Sequence, residues 1–68
     1  MVDVNKLKGA MVRAGFTQSA FAKALSMAPN TLNAKINGKT IITTDEAQKM
    51  CQVLRIQNAS EKVEIFLA

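Results

Sequence analysis

The sequence has no histidine, no tryptophan and no tyrosine, and it has one cysteine, Cys51, and one proline, Pro29. A lone thiol closes no internal disulfide, and with no histidine beside it no zinc site can be assembled. Cys51 therefore reads as a small core residue, without an imidazole to activate it as a nucleophile. Asp45 and Glu46 adjoin where a helix begins, a place that favours acids through the helix dipole more than it suggests a catalytic pair. Gly9, Gly15 and Gly38 are too scattered for a phosphate-cradling loop. No enzyme, metal or cofactor is expected. The opening MVDVNKLKG lacks a signal peptide's apolar run, and no stretch approaches the roughly 20 apolar residues of a membrane span. The expectation is a soluble, cytoplasmic chain.

What is present fits a small helical domain. The chain has 68 residues, 49% of them hydrophobic with three Phe, so the core must come from Leu, Ile, Val, Met and Ala. These residues suit packed helices, and the length suits one domain over residues 1–68. Nine Lys and Arg against five Asp and Glu give a net charge of +4. That balance favours polyanionic partners but serves plain solubility equally well.

Periodicity divides the chain into helices. Val4, Leu7, Met11 and Ala14 recur at steps of three and four, and Gly15 ends this first helix. Thr17 caps a second, Gln18 to Leu25, with Phe21, Ala22 and Leu25 on one side. Pro29 suits the first turn of a third helix, which carries Leu32 and Ile36 inward and closes at Asn37 and Gly38. Thr43 with Glu46 forms a capping box, and Ile42 with Ala47 a hydrophobic staple, for a fourth helix. It carries Ala47, Met50, Cys51 and Leu54 on one stripe, with Arg55 in its last turn. In the tail, Val63, Phe66 and Leu67 fit a helical face while Val63, Ile65 and Leu67 alternate as a strand would. Ser60 as cap and Glu61 after it favour a fifth helix.

Residues 18–38 form a unit of two short helices joined by a tight turn. Helices crossing at a steep angle need a small residue where the backbones approach, here Ala22, and an apolar plug in the turn, here Met27. With Phe16, Thr17 and Gln18 before it and Asn37, Gly38 and Lys39 after it, the unit resembles the helix-turn-helix of the phage repressor and Cro (Xre-like) superfamily. The run KINGK, the start TTDEA and the EIF near the end are similar to a small phage subgroup. The resemblance spans roughly residues 4 to 67. It implies an all-α, five-helix, lambda-repressor-like fold. Two positions depart from the family pattern, Ser26 for the usual glycine and Ala28 for the usual Ser or Thr cap, each costing about 1 kcal/mol.

On that reading the third helix enters the major groove of a double-stranded DNA operator. Pro29, Asn30, Thr31, Asn33 and Ala34 are the expected base contacts. Asparagine can pair bidentately with adenine, and Ala34 and the Thr31 methyl can touch thymine methyls, which implies an A·T-leaning half-site. Thr17, Gln18, Lys35, Asn37, Lys39 and Thr40 are the expected phosphate contacts. Asn37 beside Gly38 is equally well explained as a helix-end residue. Asn30 and Asn33 occupy positions where Glu, Lys, Gln or Ala would serve a helix better.

The resemblance implies a transcriptional regulator, most simply a repressor. One recognition helix reads few base pairs, so a weak or DNA-assembled homodimer is expected, with half-sites about 34 Å apart. Ile65 and Phe66 are the candidate dimer surface. The other reading is a protein-interaction adaptor, antirepressor- or antitoxin-like, on the same fold. Lys8, Arg13, Lys23, Lys49, Arg55 and Lys62, spread along the chain, leave it open.

Overall fold

A computed structural model describes residues 2–67, which form five helices: α1 (Val4–Arg13), α2 (Gln18–Ala24), α3 (Pro29–Ile36), α4 (Thr44–Leu54) and α5 (Ala59–Phe66). No strand occurs among the described residues, so the tail is helical. Its cap is Asn58, whose side chain accepts from the backbone N–H groups of Ser60 and Glu61; Ser60 is not the cap. The other starts are as the sequence predicts. Thr17 Oγ1 accepts from the Ala20 N–H, the capping box of Thr43 and Glu46 is complete, and Pro29 opens α3.

Four of the helices end alike. In each, a residue with positive φ follows the last turn, and two N–H groups fold back onto carbonyls of that turn. The left-handed residues are Gly15 (φ 80°), Ser26 (φ 57°), Gly38 (φ 76°) and Arg55 (φ 58°). The returning bonds run from the N–H groups of Phe16, Met27, Lys39 and Ile56 to the carbonyls of Met11, Ala22, Ala34 and Cys51, at 2.8–2.9 Å. Arg55 thus closes α4 from outside its last turn, which holds no basic residue. These sharp stops let helices of 7 to 11 residues change direction within a few residues.

The core gathers Leu7, Met11, Phe21, Leu25, Leu32, Ile36, Met50, Leu54, Ile56 and Ile65 around small Ala10, Ala22 and Cys51. Each large side chain so enclosed contributes about 1.5–3 kcal/mol. Ala10, not Ala14, shares the inner face of α1. Ala22 is fully buried and Met27 packs against the core from the turn, the places expected of them where α2 and α3 pack together.

The tail contains the largest departure from the periodicity. Ile65 is only 2% exposed, while Val63 and Leu67 face solvent. Ile65 is therefore core, not dimer surface; Phe66 is half-buried against the same cluster. Packing of α5 on α1 selects this face. The Asp3 N–H donates to the Ile65 carbonyl at 2.6 Å, Arg13 pairs with Glu61, and Lys6 lies 3.8 Å from Glu64.

Candidate nucleic-acid interface

The turn between α2 and α3 projects one side of α3 outward. Leu32 and Ile36 have no exposed surface, whereas Pro29, Asn30, Thr31 and Asn33 are all exposed and Ala34 is half-buried. All five expected base-reading positions therefore lie on or beside the outer face. No side chain caps the start of α3, since Ala28 offers none. The first-turn N–H groups and the positive end of the helix dipole are left facing outward, an arrangement that favours anions.

Asn33 is tied into a chain of amides. Its Oδ1 accepts from Gln18 Nε2 at 3.1 Å and from Asn37 Nδ2 at 2.8 Å. The three side chains span the start of α2, the middle of α3 and the end of α3, so they cross-link the two helices on the outward side. Helical periodicity does not reveal this chain, because its members are fifteen and four residues apart and only the α2–α3 crossing joins the first pair.

Lys35 has a different place from the one the sequence suggests. Its side chain is only 14% exposed, and its Nζ lies 3.0 Å from both Glu46 Oε1 and the Ile41 carbonyl oxygen. Its ammonium bridges the loop 37–43 to α4 and does not face outward with the phosphate-contact set. The Thr43 N–H donates to the same carboxylate. Glu46 is held below the ordinary carboxylate value, chiefly by that N–H and further by Lys35, against an opposing effect of desolvation.

Thr17, Asn37, Lys39 and Thr40 are exposed and Gln18 is half-buried; together they border α3 at its two sides. The N–H groups of Lys39 and Thr40 both point back to the Ala34 carbonyl, at 2.9 and 3.4 Å, which fixes the loop while leaving both side chains in solvent. Lys39 joins no ion pair among the described residues.

A further signal lies in the placement of acids. Residues 4–44 contain no Asp or Glu, while all five acids fall at Asp3, Asp45, Glu46, Glu61 and Glu64. α2, α3 and the following loop thus contribute no carboxylate of their own, and the one that reaches them, Glu46, is taken up by Lys35 and the Thr43 N–H, so the charge these elements display is positive. Net charge alone conceals this asymmetry.

Residues 7–57 match the family model described as helix-turn-helix. Neither a curated protein nor a solved structure matches the chain.

Proposed function

The chain belongs to the helix-turn-helix family, and from that premise we propose that it binds double-stranded DNA sequence-specifically and acts as a transcriptional repressor in the cytoplasm of a bacterium or of a phage-infected cell. One observation carries the proposal: the exposed, amide-bearing face of α3 stands in a stretch, residues 4–44, that contributes no carboxylate. α3 lies in the major groove. Asn30 and Asn33 meet base edges, with Pro29, Thr31 and Ala34 supplying apolar contact, while Thr17, Gln18, Asn37, Lys39 and Thr40 grip the flanking phosphates. Lys35 is omitted, because its ammonium is committed to Glu46. A bound copy represses most simply by occluding a promoter.

Salt-titrated binding to a pool of random duplexes, followed by sequencing of the bound fraction, tests this. Expected are enriched sites and an affinity that falls steeply with salt. Binding that is insensitive to salt and to sequence would refute it.

A second reading, as a protein-binding adaptor, is favoured by an open apolar groove between α4 and α5, lined in part by Ile42, Ala47, Cys51, Val63, Phe66 and Leu67. The same binding experiment separates the two, since an adaptor enriches no site.

A further inference from the structure

We infer that Asn33 addresses DNA only as a hydrogen-bond donor, and that it thereby selects guanine, not adenine, at the base it faces. The inference rests on the DNA-reading role proposed above. A free asparagine amide pairs with adenine because Oδ1 accepts from N6 while Nδ2 donates to N7. In this fold Oδ1 has two lone pairs and two donors already on it, Gln18 Nε2 at 3.1 Å and Asn37 Nδ2 at 2.8 Å. The acceptor half of the adenine pair is occupied, and both Nδ2 hydrogens remain.

Guanine shows two acceptors, N7 and O6, to the major groove; adenine and thymine each show one and cytosine presents a donor. Two amide hydrogens with no free acceptor match guanine best and cytosine worst. The same polarity suits the flanks. Gln18 and Asn37 each use one amide hydrogen on Asn33 and keep another, which can donate to phosphate oxygen. Asn33 thus sets the direction of three amides at once, all with donors toward an acceptor-rich duplex. Had all three been turned over, Asn33 would show an oxygen outward and favour the exocyclic amino groups of adenine or cytosine.

The test is selection of bound sites from random duplexes by the wild type, by Asn33→Ala, and by the double variant Gln18→Ala with Asn37→Ala, each first shown folded by circular dichroism. The position that loses its preference in Asn33→Ala is the one Asn33 reads. There the wild type should favour guanine over cytosine by about tenfold or more. In the double variant, which frees Oδ1, the preference at that position should move toward adenine even as overall affinity falls. A merely structural Asn33 would leave base preference in place. The inference is overturned if the wild type favours adenine or cytosine there, if Asn33→Ala changes no position, or if the double variant keeps guanine. Enrichment of no site by the wild type would instead remove the DNA-reading premise, and this inference with it.

Discussion

Left-handed backbone at Ser26 is a cost that the neighbouring glycines avoid. Gly15 and Gly38 hold the same place at the ends of α1 and α3, and a Cβ built at either meets no atom within 4 Å. Any penalty for a side chain there is therefore conformational and not steric crowding by neighbours. Serine at φ 57° bears that penalty, about 1 kcal/mol. Ser26→Gly should raise stability by roughly that amount, and Gly38→Ala should lower it by a similar one. In a domain of this size, thermal melts would read each as a shift of about 4–8 °C. Ala28, two residues on, is an N-cap with no side-chain bond. Ala28→Ser should add about 1 kcal/mol, measured the same way. Equal melting temperatures for Ser26→Gly and wild type would show that the turn tolerates serine without strain.

Between α3 and α4, one ion pair does the work of a clamp. Lys35 and Glu46 meet at 3.0 Å with most of both side chains shielded, and Lys35 also holds the Ile41 carbonyl, so the loop that displays Lys39 and Thr40 is fixed at its far end. Glu46→Gln should cost about 1 kcal/mol near neutral pH, where the charged capping box and the pair are both intact. Glu46 is held below its ordinary value near 4.5, so its contribution is complete above that value and disappears as the pH falls through the lower folded one. Denaturation of wild type and variant across the acid range should accordingly show a gap that closes on acidification. A gap independent of pH would mean that the carboxylate charge is irrelevant. This clamp was not legible in the sequence, where Lys35 near the end of α3 reads as a phosphate contact. The fold was legible wherever local chemistry decides it: Thr17, Thr43, Pro29, Gly15 and Gly38 mark real helix ends, and Leu32 and Ile36 point inward as spaced. What failed was decided by partners distant in sequence. Ile65 is core because α1 lies over it. The cap of α5 is the local exception: Asn58 takes that role from Ser60 because its side chain reaches two N–H groups. At the interface, α3's outer face was readable from its own periodicity, but the amide chain through Asn33 and the removal of Lys35 needed α2 and α4 in place.

For the molecule as a whole, the separation of charge decides how it meets a polyanion. Three of the nine basic residues, Lys6, Arg13 and Lys35, are paired with carboxylates, and Lys39 stands in the acid-free stretch outside the described ion pairs. Lys39→Ala should weaken all DNA sequences about equally and reduce the slope of log affinity against log salt by about one unit. A loss confined to particular sequences would assign Lys39 to base reading. The dimensions then bear on assembly. Principal extents of 28 × 24 × 20 Å are close to the roughly 34 Å that separates half-sites one helical turn apart. Two copies set with their longest dimension along the duplex would come within side-chain reach of each other but share little surface, which suits a dimer formed on the operator more than one stable in solution. Ile65 is enclosed and gives no help to such a contact; the large apolar side chains exposed among the described residues are Val12 and Ile41, with Val63 on α5 and Leu67 just after it. Sedimentation should therefore find a monomer alone and two copies per duplex on an operator with paired half-sites. Inserting about half a helical turn, roughly 5 base pairs, between the half-sites should abolish cooperative binding while leaving each half-site occupied independently. Cooperativity that survives the insertion would rule out contact between neighbours on one face of the DNA, and a single copy per operator would rule out the DNA-assembled dimer altogether.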